Sequence, residues 1–215
     1  NNKKGVDSVL NVRVKECAPF ENVYTLALRG LHDRAMNASN DMGDRKDMLQ
    51  EALMAQRQML IDAIGKPGEE IPQAFTPYKE VLDVYDEGLE LPDDVTIIWP
   101  DDNYGYMKRL SSPKEQKRSG RSGVYYHSSY LGKPHDHLWM NTISPTLMYE
   151  ELRKAYDATA DRIWLLNAGD IKSCEFAVDY FLTMAFDIDS FSFERAANYR
   201  TEWLCGMLGD DYRVE

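Results

Sequence analysis

The chain has 215 residues, 43% hydrophobic and 11% aromatic, with 25 Lys and Arg against 36 Asp and Glu for a net charge of −11. That length and apolar content support a real core and exclude disorder as the main state. The acidic balance argues against a nucleic-acid partner, because phosphates reward clustered Lys and Arg.

No stretch approaches the roughly 18–20 apolar residues of a membrane helix, so no membrane partner is expected, and Asn1-Asn2-Lys3-Lys4-Gly5 leads into no signal-peptide core. The one basic cluster, Lys108 to Arg121, reads as a solvated loop. Cys17, Cys174 and Cys205 match no zinc or redox spacing and read as small buried hydrophobes.

In chain order, Val23 to Leu28 reads as a strand. From Lys46 to Ile64, apolar residues keep a helical period until Gly65 and Pro67 end it. Pro72 to Thr76 is a weaker strand, followed by a short helix from Glu80 to Glu87. Val95 to Trp99 is the clearest strand, β-branched and apolar on both faces, as in a parallel sheet covered by helices. Strands at Gly123 to His127 and Leu138 to Met140, a helix from Leu147 to Tyr156, and a strand from Arg162 to Leu166 follow. Helices from Glu175 to Phe186 and from Phe193 to Leu208 complete the chain. Strands spaced by helices predict an α/β class with a parallel sheet.

Each strand runs at once into a small polar cluster. Arg29, His32 and Asp33 follow the first strand, and Tyr78 and Glu80 the second. Asp101 to Gly105 follow the third, His127 and Tyr130 the fourth, and Asn167 and Asp170 the fifth. In a β/α barrel the loops after the strands converge on one face and build the active site there. Simpler readings stand beside this one: Asp33 as a helix N-cap, and Asp101 or Asp102 capping a helix that starts near Tyr104. His135-Asp136-His137 resembles a metal-ligand run, but its Gly132/Pro134 loop offers no helix to align ligands, so no metal site is assigned.

The chain has no P-loop, no dinucleotide glycine fingerprint and no nucleophile elbow, and no cofactor is implied. Carboxylate chemistry remains. Asp33 and Glu80 sit at successive strand ends among aromatic residues, as a glycoside-cleaving site requires. One carboxyl protonates the leaving oxygen, and another activates water or attacks the anomeric carbon. Arg29 suits an anionic sugar, because its planar fork pairs with a carboxylate through two parallel bonds.

These motifs resemble glycoside hydrolase family 115, the xylan α-1,2-glucuronidases. The resemblance rests on Pro72-Gln73, Tyr78-Lys79-Glu80-Val81 and Leu91 to Thr96. It continues through Trp99 with Asp101-Asp102-Asn103-Tyr104-Gly105, Gly123 to His127, the spacing of Trp139 and Asn141, and Asn167-Ala168-Gly169-Asp170. Upstream, Arg29-Gly30 with Asp33 is similar to the family's pattern. The resemblance implies a (β/α)8 TIM-type barrel and inverting release of glucuronic acid, or its 4-O-methyl ether, from the α-1,2-linked side chains of glucuronoxylan. Glu80 and Asp33 then resemble the catalytic carboxylates, and Asp101 a further acid of the site. Arg29, Tyr78, Asn103 and Tyr130 resemble the residues that hold the uronic acid, and Asp102, His127 and Asn167 join them from their strand-end positions. Glu80 is cast as the general acid and Asp33 as its partner on water, with roughly 6.5–9.5 Å expected between the working carboxyls.

Family members are several times longer than this chain. The expectation is therefore a partial barrel of about five to six β/α units, judged against the eight that close one. Residues 1–190 would be its central and C-terminal part, and residues 191–215 a helical segment leading to a further domain. Alone the segment is expected to be inactive. An extracytoplasmic location suits the full-length protein, and a homodimer is compatible with the family. Two other classes remain: a non-catalytic carbohydrate-binding module, and a metal-dependent hydrolase using Asp101, Asp102, His135 and His137.

Overall fold

The computed structural model describes residues 2–30, 34–36, 41–132, 135–137 and 141–209. The chain divides into two compact units, one of residues 1–98 with 117–121, the other of residues 99–116 with 122–215. The expected strand at Leu138 to Met140 and the residues after 209 lie outside the described residues.

The first unit opens with a helix that the sequence reading missed, α1 (Lys3–Cys17), which packs on α2 (Met42–Ile64). No residue of α1 is buried, and Val6, Val9 and Val12 face outward. Its apolar stripe is thus too thin to announce a helix by periodicity. Helix α2 begins at Asp41, whose side chain accepts from the Asp44 amide, and ends at Gly65 in the left-handed conformation, with φ of 73°. Leu49, Leu53 and Leu60 line its buried face. Strands β1 (Tyr24–Thr25), β2 (Gln73–Phe75) and the start of β3 (Thr96–Pro100) pair in parallel, with Tyr24 opposite Gln73 and Phe75 opposite Ile97. Short helix α3 (Glu80–Asp86) follows β2 and buries Val81, Val84 and Tyr85.

The second unit takes the end of β3, then β4 (Ser122–His127) and the hairpin of β5 (Leu131–Gly132) with β6 (His135–His137). Helix α4 (Pro145–Asp157), β7 (Trp164–Asn167), α5 (Glu175–Phe186) and α6 (Phe193–Leu208) complete it. Ser144 caps α4 ahead of Pro145 in its first turn, a pairing that fixes where the helix starts. The core joins Val124 and Tyr126 of β4 to Met148 and Leu152 of α4 and to Tyr180, Phe181 and Met184 of α5. Strand β4 is buried on both faces, so its sequence lacks the alternation of a half-exposed strand.

The main sheet has the order β1-β2-β3-β4-β7. Strands β4 and β7 are parallel, with Val124 opposite Trp164 and His127 opposite Asn167. The amides of Ile97 and Asp101 donate to Arg121 and Tyr125, an advance of four residues on each side that makes β3 and β4 parallel as well. Five parallel strands in chain order, with α2, α3 and α4 in the connections other than β3 to β4, which carries a short 3-10 turn (Glu115–Lys117), are the pattern of a partial TIM-type barrel.

Three expectations are corrected. The basic run Lys108 to Arg121 is not simply a solvated loop. The Arg109 guanidinium lies 4.4 Å over the Trp99 ring and forks onto Glu115, and Arg118 donates to the carbonyls of Leu91, Pro92 and Val95. Tyr104 starts no helix. The backbone folds back instead, in an antiparallel bridge from Asp101 to Met107. The His135–His137 run is strand β6 rather than a loop. Cys174 and Cys205 are buried, as expected of small apolar side chains, and Cys17 is half-buried.

Candidate active site

In the first unit, β2 ends at Phe75 and the chain reaches Glu80 within one short loop, at the first residue of α3. Lys79, just before it, holds φ at 53° and ψ at −123°, a sparsely populated backbone conformation that turns the chain from strand to helix. Arg29, from the segment after β1, reaches Glu80 through a fork: Nε to Oε1 and Nη2 to Oε2, each at 3.2 Å. Both side chains are 19% exposed. The Tyr78 ring sits 5.4 Å from the guanidinium and 5.0 Å from the Lys79 ammonium, so its face supports two cations. Three of the expected site residues, Arg29, Tyr78 and Glu80, thus meet. Asp33 lies outside the described residues.

In the second unit, Asp101 sits at the end of β3 and is 3% exposed. Its Oδ1 is 2.6 Å from His127 Nδ1 and accepts from the Asn103 amide at 3.0 Å, while Oδ2 accepts from the His127 amide at 3.0 Å. His127, at the end of β4, is 2% exposed. Its ring is held by Tyr125 at 4.8 Å and by Tyr130, edge-on at 5.7 Å. Tyr130 in turn meets Tyr104 at 6.2 Å. From β7, Asn167 donates to the Tyr125 hydroxyl at 2.7 Å and its carbonyl accepts from the Ser128 amide. Asp101, Asn103, His127, Tyr130 and Asn167 are therefore linked by direct contacts or through Tyr125.

The turn after Asp101 explains why two neighbouring aspartates differ. Asp102 points its Oδ1 at the amides of Tyr104 and Tyr106, at 2.8 and 3.1 Å, and so builds the turn. Asn103 carries φ of 72°, which Asn tolerates better than most residues. Gly105 has φ of 94°, and a Cβ there would come within 2.9 Å of the Tyr126 hydroxyl, so glycine is required. Burial, followed by the charges of Asp101 and Glu151, pushes the Tyr126 hydroxyl well above the usual tyrosine range. It stays protonated and donates to the Gly105 carbonyl at 2.9 Å.

Sequence reasoning missed Ser129 and Glu151 as parts of this arrangement. Ser129 Oγ accepts from the Gly169 amide at 2.6 Å and ties the end of β4 to the loop after β7. No periodicity or motif marks such ties. Among the described residues, no group of three or more His, Cys, Asp and Glu side chains is placed to hold a metal, and no helix is long and apolar enough to cross a membrane.

A chemical site emerges at the strand ends of each unit, with a carboxylate in each and amide and aromatic groups beside it. The model of glycosyl hydrolase family 115 matches residues 1–215. The chain belongs to that family. A solved relative is described as a novel family 115 4-O-methyl-α-glucuronidase with specificity for decorated arabinogalactans. It is 43% identical, with a TM-score of 0.94, over 98% of this chain. The match spans 28% of the relative's own length. No curated protein matches the chain. The family 115 segment thus keeps the relative's fold across nearly all of its residues.

Proposed function

We propose that this family 115 chain supplies strand-end carboxylates to an α-glucuronidase that releases glucuronic acid, or its 4-O-methyl ether, from polysaccharide side chains. The observation that carries the reading is a carboxylate held at a strand end in each unit, Glu80 after β2 and Asp101 just after β3, in a member of this family. Each has a partner suited to an acidic sugar site. Arg29 offers a planar fork to a uronate carboxylate, which competes with Glu80 for the same two N–H donors. Release from that fork leaves Glu80 able to carry the proton that the leaving oxygen takes. Asp101 fixes the ring of His127, and the aromatic groups beside it offer faces to the apolar side of a sugar.

The linkage is taken as α-1,2 and the stereochemistry as inverting, with Asp33 as the residue that places or activates water. The polysaccharide is the finer question. Glucuronoxylan is one reading, and the specificity described for the 43%-identical relative favours a decorated arabinogalactan as the second. An extracytoplasmic enzyme would meet either polymer.

The test uses the intact polypeptide that carries this chain, incubated separately with glucuronoxylan and with glucuronidated arabinogalactan. Released uronic acid is quantified and its anomeric configuration followed by NMR. Release from one polymer, initially as the β-anomer, is expected, with a loss of at least about 100-fold in Glu80→Gln and in Asp101→Asn. No release from either polymer, or full turnover in both variants, overturns the reading.

A further inference from the structure

We propose that the first unit carries a second carbohydrate site, a cleft at the start of β1 and β2 that holds a neutral stretch of polysaccharide backbone. The choice of ligand rests on the glucuronidase reading, which brings a polysaccharide within reach. The cleft itself rests on geometry.

The cleft has a volume of about 680 Å³, within the roughly 300–1,000 Å³ of ordinary ligand sites. One wall is the loop from α1 to β1, residues 18–23, and the other is the connection from α2 to β2, residues 65–72. The walls join at the sheet, where the Tyr24 amide donates to the Pro72 carbonyl at 2.9 Å. Arg29 and Glu80 follow the far ends of the same two parallel strands, so the cleft lies apart from that cluster.

Both walls are tied in place by their own side chains. In the first, the Asn22 side-chain amide donates to the carbonyls of Cys17 and Phe20 at 2.8 and 2.7 Å. The Phe20 backbone amide adds a third tie, to the Cys17 carbonyl at 3.0 Å. In the second, the buried Gln73 side-chain amide donates to the carbonyls of Gly68 and Ile71 at 2.8 and 2.9 Å. These bonds bracket the short 3-10 turn of Gly68–Glu70. Walls fixed in advance lose little freedom when a ligand arrives, which favours binding.

The surface so fixed matches the two-sided chemistry of a sugar. Phe20 is 70% exposed and Val23 is 54% exposed, and the tied loop keeps both out of the core. The C–H face of a sugar ring covers such groups, and both surfaces leave water. Glu21, Lys66 and Glu70 stand around this apolar patch, all three exposed. The carboxylates accept from sugar hydroxyls, and the ammonium donates to hydroxyl and ring oxygens. With one carboxylate in excess, the rim repels a uronate and favours uncharged units. The proposed tasks thus divide within the first unit: Arg29 meets the acidic side group, and the cleft meets the neutral backbone. A polymer held at both places gains from the second contact, because that contact is intramolecular once the first is made. A short oligosaccharide that fills the active site alone gains nothing from the cleft.

The experiment runs the intact polypeptide through native gels containing undecorated xylan or undecorated arabinogalactan, which offer no uronic acid. Wild type should be retarded in at least one gel. Phe20→Ala should lose most of that retardation and Phe20→Tyr should keep it, with melting unchanged in both because the ring is exposed. On a glucuronidated polymer, Phe20→Ala should raise KM about threefold to tenfold with kcat unchanged, and on a short glucuronidated oligosaccharide KM should stay within about twofold. Lys66→Ala should move both measurements in the same direction by less. Wild type that passes both gels unretarded overturns the proposal, and so does equal retardation of wild type and Phe20→Ala. An equal rise of KM on polymer and oligosaccharide also overturns it, because Phe20 then acts through the fold. If wild type releases no uronic acid, the glucuronidase reading fails, and retardation by the neutral polymers still decides the cleft by itself.

Discussion

The two strand-end clusters use a carboxylate in opposite ways. In the first unit, Glu80 faces a permanent cation, and both of its oxygens are taken by the Arg29 fork at 19% exposure. In the second, Asp101 is 3% exposed, and its donors are backbone amides and an imidazole. A guanidinium fork can be exchanged for a ligand of matching shape and charge, because water reaches both partners and the carboxylate is re-solvated when it leaves. Three short contacts in a dry site cannot be exchanged at that cost, since each unmatched group loses its partner and gains no water. The first cluster therefore has contacts that a charged group of matching shape can exchange with, and the second has contacts that hold its shape.

The largest effect expected from breaking this contrast is at Asp101. Asp101→Asn sets an amide N–H₂ against one of the donors now facing the carboxylate, at a cost of about 1–3 kcal/mol. Turnover should fall by about 10²–10⁴. Thermal melting and uronic acid release check both, and normal melting with normal turnover would mean that the buried pair is ordinary core. Glu80→Gln should reverse the proportions. Turnover falls about 100-fold, while stability changes by about 1 kcal/mol or less, since the fork is near the surface. Next in size is Arg29→Lys, which keeps the charge and loses the planar pair of donors. KM for the glucuronide should rise about tenfold with the melting temperature almost unchanged. A KM that ignores this change would show that the fork serves Glu80 alone.

How much of this was legible depended on which forces wrote it. Val95 to Trp99 was plain because a strand buried on both faces must be apolar throughout, and β3 appears there as Thr96–Pro100. Helix α2 was plain from its period and from Gly65, although its start at Met42 lies four residues before the first expected one, because the Asp41 cap carries no hydrophobic signal. Helix α1 was invisible because it buries nothing. At the site, the strand-end clusters gave Arg29 with Glu80 and Asp101 with His127 as neighbours in chemistry, yet nothing in the sequence paired them. Partner choice is set across strands by register, and a side chain such as Glu151, 44 residues from the amide it receives, is written as one more acid on a helix face. The expectation of a helix at Tyr104 failed for a related reason. Asp-Asp-Asn favours caps and tight turns alike, and the Gly105 left-handed conformation, locked by Tyr126, decided for the turn.

The smallest effect calibrates the first cluster against a third fork far from any chemistry. On α6, Arg195 pairs with Glu202 through two contacts, Nε at 3.2 Å and Nη2 at 2.8 Å, with side chains 30% and 53% exposed. The hydrogen bonds from Arg195 hold the Glu202 carboxyl below its usual range, and partial burial opposes them. A carboxyl whose folded value is depressed contributes stability that is complete above its unfolded value, near pH 4.3, and is lost as pH falls through the lower folded value. Glu202→Gln should therefore lower the melting temperature slightly at pH 7. The gap to wild type should close on acidification below about pH 4 and shrink with added salt, because both groups are screened. The same pair of measurements on Glu80→Gln asks whether a fork at 19% exposure behaves alike. If the Glu80 gap persists in salt where the Glu202 gap vanishes, shielding from solvent sets the Arg29 fork apart from a surface pair. If the two gaps fade together, the Arg29 fork is a surface pair in energy, and its exchange for a uronate carboxylate costs the fold almost nothing.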